Sequence, residues 1–488
     1  MNPFSQQLSS FVAMKNVSIA QMASFCGVDR SSMSKIVHGT RKPSSDELVQ
    51  QIANFLKLTP EESSLLMEKY QIMQVGLENY RRRKGIHAFL QTCLESDNPV
   101  PHSAFKTSFY SLPSLQDSGT DSVILHGTGT IFSAYGYIAQ LEMQRENGLL
   151  RVRIQPEERF IDFTQALRTS TDIADGFRFQ QIIALDEGSA LEDNVTFNLR
   201  LIHTMVRICK HISNYDIFYY HANVHTGKVT FSFLPYAIIS RDYAMQISED
   251  LRFAIVHRKP ETVSFFMEIF ANLRSACLPM TQSVRDYRDL LYNAKRKLSG
   301  HSAISFQMYP CVNCLLTEDL LQDYISEELP NRSFIIRASL EIIERKNEYL
   351  DSSSVSTLVS EKGLLRFLEN GKMPEYSSAL YRLPDPAVRI RLLRKYRDLI
   401  RQKSLTFHIV KEAFGNTASE TSFWIDDSCA YILLADNPEK RNYLYIRDPE
   451  ILSSLRDFFS HLPNHLAYSE EESMEILCRI LDEHSSAP

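Results

Sequence analysis

Residues 17–44 read VSIAQMASFCGVDRSSMSKIVHGTRKPS, and this stretch decides how the front of the chain folds. Ile19, Met22, Ala23 and Cys26 recur at helical spacing and mark one face of a short helix. Gly27 follows, a residue that takes a positive φ at little steric cost and so can end that helix. Val28 fills the turn, and Asp29 is placed to cap a second helix by accepting a hydrogen bond from its orphan amides. The inner face of that helix is Met33, Ile36 and Val37. Its outer face carries Arg30, Ser31, Ser32, Ser34 and Lys35, side chains suited to phosphate oxygens and base edges on a helix short enough for a major groove.

Two short helices joined by a tight turn make a helix-turn-helix, and here the stretch resembles the Cro/repressor (XRE) family over about residues 4–58. The resemblance is carried by Ala23 on the first helix, by Gly27-Val28 at the turn, and by Gly39-Thr40-Arg41-Lys42-Pro43 after the second helix. Asp46-Glu47-Leu48 and Ile52-Ala53 match the family's fourth helix. The resemblance implies an all-α domain that binds double-stranded DNA. It assigns base contacts to Arg30, Ser31, Ser32, Ser34 and Lys35 and phosphate contacts to Arg41 and Lys42. Ile19 and His38 stand where the family often has Gln and Asn; His38 keeps a ring N–H for phosphate, whereas Ile19 lacks the polar clamp.

Charge distribution permits this reading. The 488-residue chain has a net charge of -6, but residues 1–96 hold 11 Lys and Arg against 8 Asp and Glu, so the front is mildly basic and the remainder acidic. A small DNA-binding module needs only a local positive face, and an acidic remainder discourages non-specific coating of DNA. Hydrophobic residues at 44% and charged residues at 23% match soluble globular averages, which excludes wholesale disorder and fibrous repeats. The 8 cysteines form no framework, so the thiols are expected to be reduced in a cytoplasmic, bacterial or phage protein. No stretch approaches the roughly 20 apolar residues that cross a bilayer.

Beyond residue 58 a helical connector is expected at 59–96. Thr59-Pro60-Glu61-Glu62 opens it as a capping box, Gly76 and Gly85 are candidate breaks, and Arg81 to Lys84 wrap a helix as a solvated charge cluster. Residues 97–120, rich in Pro, Ser and Asp, read as a linker. From 121 helical stretches alternate with short strand-like runs, so a mixed α/β or α+β effector region is expected in two halves, 121–300 and 301–488. Tyr215–Tyr236 reads as a hairpin around His225-Thr226-Gly227-Lys228, and Ser422–Arg447 as a second strand-rich patch. Arg241-Asp242 and Arg447-Asp448 each precede a helical pattern and hint at duplication.

Signatures of catalysis fall short on spacing. His126-Gly127-Thr128-Gly129-Thr130 follows an apolar run as a phosphate loop would, yet lacks the lysine of a phosphate loop and a full dinucleotide fingerprint; a glycine turn that packs helix on strand is the simpler reading. Cys311-Val312-Asn313-Cys314 has half the ligands of a zinc site. His221 and His225 fall on one face of a strand. Tyr215, Phe218, Tyr219, Tyr220, Phe231, Phe233 and Tyr236 suit a strand core as well as a planar ligand.

The function expected from sequence is a sequence-specific transcription regulator, not an enzyme. It would have no cofactor and no metal, its large region would bind a small-molecule or peptide effector or mediate self-association, and as a homodimer it would read a pseudo-palindromic operator away from any membrane. Two alternatives stay open: a nucleotide- or phosphoester-acting enzyme carrying a DNA-binding domain, and an antitoxin or defence component that binds a partner protein.

Overall fold

The structure, a computed structural model, describes residues 2–94, 120–155, 160, 163–164, 173–187, 194–211, 214–222, 233–284, 298, 300–374, 376, 380–402, 405–411, 420–437, 440–462 and 466–485. The linker expected at 97–120 lies outside them except for its last residue. The chain divides into two units, Met1–Gly85 and Ile86–Pro488.

The first unit is all helical. Its helices are α1 (Pro3–Met14), α2 (Ile19–Phe25), α3 (Arg30–Val37), α4 (Asp46–Phe55) and α5 (Pro60–Val75). Phe4, Leu8, Met22, Met33, Ile52 and Leu66 are fully buried and form a single core. Leu66 and Tyr70 put α5 inside that core, so the unit extends past residue 58. The Thr59 capping box forms in full, with Glu62 N 3.2 Å from the Thr59 hydroxyl and Thr59 N 3.0 Å from the Glu62 carboxylate. Gly76, at φ +86°, separates α5 from α6 (Leu77–Leu94), which runs across the division between the units.

The second unit is built on two mixed sheets. The first half contains β1 (Ser122–His126), α7 (Thr128–Met143), β2 (Leu149–Arg153), β3 (Arg178–Asp186), α8 (Asn194–His211), β4 (Tyr215–Ala222), β5 (Tyr236–Ile239), β6 (Ala244–Ile247), β7 (Phe253–His257), α9 (Pro260–Ser275) and β8 (Leu278–Pro279). The second half contains β9 (Thr281–Val284), β10 (Ser302–Gln307), α10 (Glu318–Tyr324), α11 (Arg332–Ser352), β11 (Ser354–Ser360), α12 (Glu361–Asn370), α13 (Pro386–Gln402), β12 (Thr406–Val410), β13 (Ser422–Ile425), β14 (Ala430–Asn437), β15 (Lys440–Ile446), α14 (Pro449–His461) and α15 (Glu470–Ser485).

Strand order is β1-β7-β6-β5-β2-β3-β4-β8 in one sheet and β12-β11-β10-β13-β14-β15-β9 in the other. In both, three parallel strands (β2, β3, β4; β10, β11, β12) adjoin an antiparallel meander (β5, β6, β7; β13, β14, β15), and the strand that enters the half (β1; β9) closes its far edge. The two halves therefore share one topology. Parallel neighbours cannot be joined by a tight turn, and described helices fill three of the four crossovers: α8 in the first half, then α10 with α11, and α12 with α13, in the second. The chain passes from one sheet to the other at Met280, whose N–H bonds Ile217 O at 2.8 Å and whose carbonyl takes Tyr445 N–H at 2.7 Å. Sheet membership thus changes before residue 300.

Three sequence expectations are corrected here. Tyr215–Tyr236 is not a hairpin: β4 pairs with β3 in parallel and with β8, while β5 pairs with β2 and β6. Alternating aromatic residues are equally at home in a parallel strand, so the alternation identified a strand and not its partner. The Arg-Asp pairs do not correspond. Arg241-Asp242 turns β5 into β6, whereas Asp448 caps α14 by accepting from Glu450 N and Ile451 N. Finally, Gly127 and Gly129 do not pack a helix tightly on a strand, because a Cβ at either would meet nothing within 4 Å. Gly127 is required by its φ of +86°, at the point where β1 turns into α7.

The strand-rich patch expected at Ser422–Arg447 holds β13, β14 and β15, which pair in sequence as an antiparallel meander. Among the described residues no helix is long and apolar enough to cross a membrane.

Candidate nucleic-acid face and anion cleft

The polar face of α3 is held in place from both ends. At its start the Asp29 carboxylate accepts from Ser32 N at 2.8 Å, satisfying one orphan amide. At its end the carbonyls of Ile36 and Val37 receive the hydroxyls of Ser5 and Ser9 on α1, at 3.1 and 2.9 Å. Gly39, at φ +80°, leaves the helix where an added Cβ would stand 2.9 Å from the Ser5 hydroxyl, so glycine is needed there for both space and conformation. With Met33, Ile36 and Val37 buried, Arg30, Ser31 and Lys35 are exposed and Ser34 is half-buried.

The remaining residues assigned to DNA have distinct positions. Ser32 is buried, and its hydroxyl accepts from Arg41 Nη1 at 2.8 Å; Arg41 therefore lies across the first turn of α3 and shares one fixed position with Ser32. Exposed His38 places Nδ1 2.7 Å from Ser34 O. Lys42 reaches back to Met73 O at 3.4 Å, at the end of α5. Arg30, Ser31, Ser34, Lys35, His38 and Arg41 thus lie on or beside one short helix. A burial pattern can be read from spacing, but the Ser32–Arg41 bond joins residues that only the folded loop brings together.

Hydrogen bonds from the Ser32 side chain and backbone hold the Asp29 carboxyl below its ordinary value, with Arg41 a smaller contributor. A lowered folded-state value means stabilisation that is present above the unfolded value and is lost as pH falls through the folded one. The first unit should lose this contribution on acidification below the usual Asp range, and Asp29→Asn should remove that part of its pH dependence. Thermal melts of residues 1–85 followed from pH 5 downward check this; equal slopes for wild type and Asp29→Asn would count against it.

In the second unit the carboxyl ends of β2, β3 and β4 open on a cleft of about 610 Å³, its open mouth included, lined by Arg153, Gln155, Ala184, Tyr220, Tyr236 and Glu249 among others. Beyond the ends of parallel strands is where open α/β sheets usually take ligands. Gln155 is locked in place: its amide donates to Ala184 O at 2.9 Å and accepts from Ala184 N at 3.0 Å. The Arg153 guanidinium stands 3.5 Å from the Tyr220 hydroxyl. Arg151, two residues back on the same strand face, has its pKa pushed down, first by burial and then by the like charges of Arg274 and Arg178, against the opposing pull of Glu142. Arg274 lies over the Phe218 ring, 5.8 Å from its centroid. Arg151, Arg178 and Arg274 therefore stand near enough on this side of the sheet to repel one another, a repulsion that Glu142 partly offsets.

Of the aromatic set named from sequence, Tyr220 and Tyr236 line this cleft and Phe218 lies on the same strand face as Tyr220; Tyr215 and Tyr219 are buried on the opposite face of β4. Phe233 is exposed, and Phe231 and His225 lie outside the described residues. His221 faces away from the cleft and pairs with Asp448 at 3.3 Å, tying β4 to α14. The signal missed in sequence was Arg153-Ile154-Gln155, a polar end to an apolar strand. A separate cavity of about 670 Å³, walled by Leu316, Leu320, Tyr324, Ile335, Met373 and Leu392 among others, holds no charged side chain and offers little chemistry. Among the described residues no group of His, Cys, Asp and Glu is arranged to hold a metal ion, Cys311 and Cys314 included.

No family model matches the chain, and no curated protein matches it. Among solved structures it is similar to phosphatidylserine synthase from Haemophilus influenzae Rd KW20, at 11% identity over 75% of this chain and 92% of that one, with a TM-score of 0.22. That structure is of an enzyme, and against it the expectations of a transcription regulator with an effector-sensing or oligomerisation region, and of a chain that is not an enzyme, are corrected. A likeness at that TM-score says nothing about substrate or reaction, and none is taken from it.

Proposed function

We propose that this chain is a DNA-binding protein whose large unit acts on a phosphate-bearing ligand of the nucleotide or phosphoester class. The observation that carries the proposal is Arg153 in the lining of the cleft at the carboxyl ends of β2–β4, with its guanidinium beside the Tyr220 hydroxyl. In this reading Arg153 grips phosphate oxygens through its planar fork, the Tyr220 hydroxyl donates beside it, and Glu249, across the cleft, orients a ribose hydroxyl or an attacking water. The first unit holds duplex DNA by the exposed face of α3, a role supported by Arg30 and Lys35 projecting from a capped helix and by the resemblance of this segment to Cro/repressor domains.

Thermal shift and turnover of the full-length protein against a panel of nucleoside mono-, di- and triphosphates and an activated phosphodiester test the cleft. At least one phosphate-bearing compound should stabilise the large unit. Arg153→Ala should weaken its binding by roughly 10- to 100-fold, the usual effect of removing a charge-assisted contact. Absence of any shift or turnover across the panel, with Arg153→Ala indistinguishable from wild type, would overturn the assignment.

A further inference from the structure

After β10 the chain makes a single 3₁₀ turn, Asn313–Leu315, packed against α11. From α11 the Lys346 ammonium reaches this turn, 2.7 Å from Cys311 Sγ and 2.7 Å from Asn313 Oδ1. The Cys311 thiol is itself 3.1 Å from Asn313 Oδ1, and the next residue of α11, Asn347, bonds Cys314 O at 3.2 Å. Cys314 Sγ donates to the Cys311 carbonyl at 3.9 Å, and both thiols are free. Cys311 is half-buried, which leaves a path for a small oxidant, as are Lys346 and Asn313.

We infer that Cys311 and Lys346 form an oxidant-sensitive modification site, in which hydrogen peroxide converts the pair into a covalent sulfenamide staple between the 3₁₀ turn and α11. An ammonium in contact with sulfur favours the thiolate, the nucleophilic form. The thiolate attacks one peroxide oxygen: the S–O bond forms, the O–O bond breaks, and the departing hydroxide takes a proton from the Lys346 ammonium to leave as water. Cys311 is then a sulfenic acid beside a neutral amine. The amine attacks that sulfur, the S–N bond forms, the S–OH bond breaks, and the hydroxyl leaves with an amine proton as a second water. Sulfur loses two electrons in all, and one peroxide is reduced to two waters.

Three other half-buried cysteines provide the internal standard. Burial pushes the Cys26 and Cys277 thiols up, away from the reactive form, and Cys478 has Arg401 no closer than 3.6 Å. The full-length protein is treated with hydrogen peroxide, alkylated after unfolding, digested and weighed. Cys311 should be consumed roughly tenfold faster than Cys26, Cys277 or Cys478. It should appear in a peptide pair joined to Lys346, lighter by a pair of hydrogens than the two free peptides and separated by dithiothreitol. Lys346→Met should abolish both the rate advantage and the joined pair. Consumption of Cys311 at the rate of the other three overturns the inference, as does an oxidised Cys311 that never joins Lys346.

Discussion

Replacing Arg30 and Lys35 together by Ala should lower the affinity of the protein for duplex DNA by about 100-fold or more, since each such contact is worth roughly 1–3 kcal/mol. Both side chains stand on the exposed face of α3, while the residues that hold the helix, Met33, Ile36 and Val37, lie underneath and are untouched. The loss should therefore be a loss of contacts and not of fold. Fluorescence anisotropy with labelled duplex over a range of salt concentrations separates the two sources of affinity. Every phosphate contact removed should flatten the salt dependence by about 0.9 in the logarithmic slope, whereas a lost base contact leaves the slope alone. Affinity and slope equal to wild type would remove α3 from the interface. Arg41→Ala should behave differently: it strips the guanidinium from Ser32 at the first turn of α3, so it should disturb the helix as well as any phosphate contact.

The front of the chain was legible because its determinants are local. Asp29 caps the helix that follows it by accepting from the amide three residues ahead, Gly27 and Gly39 are demanded by positive φ, and the spacing of Met33, Ile36 and Val37 fixes which face is buried. Each of these is decided within one or two turns of chain. The large unit is decided by pairing, which alternation does not encode. The run from Tyr215 reads correctly as a strand, but its neighbours β3 and β8 lie well away in sequence, and the nearest strand downstream, β5, does not touch it in the sheet. The shared topology of the two halves was likewise hidden, because the Arg-Asp pairs that suggested duplication fall at different places in the repeat. Strand order repeats here where the dipeptides do not.

The candidate sites follow the same division. Arg30 and Lys35 could be named from one helix, whereas the cleft joins Arg153 on β2, Tyr220 on β4 and Glu249 after β6, which come together only when the parallel strands align their carboxyl ends. Cys311 was visible as half of a metal motif, but its contact is Lys346, from the helix that crosses over to β11.

Gly363→Ala should be the most damaging small change to the large unit, and the cause is a single close approach. Gly363 lies in the first turn of α12, where its N–H donates to the Ser360 hydroxyl at 2.9 Å and that hydroxyl donates in turn to Met308 O at 3.0 Å. A Cβ at 363 would fall 1.6 Å from Met308 O and 2.4 Å from Met308 C, both backbone atoms just beyond the end of β10. No side-chain rotation relieves such an overlap, so α12 must lift from β10, breaking the Ser360 bridge and opening the core around buried Leu364 and Phe367. Overpacking in a rigid site costs about 3 kcal/mol, which for a unit of this size lowers its melting temperature by roughly 3–4 °C. Gly129→Ala is the matched control: it sits in the first turn of α7 with open space around the added methyl and should be neutral or slightly stabilising. Calorimetry on the full chain reads both variants, and the first unit, with its separate core, should melt unchanged in each. Equal melting of Gly363→Ala and Gly129→Ala would mean that α12 yields freely at its start, and the tight junction between β10 and α12 would no longer account for a glycine there.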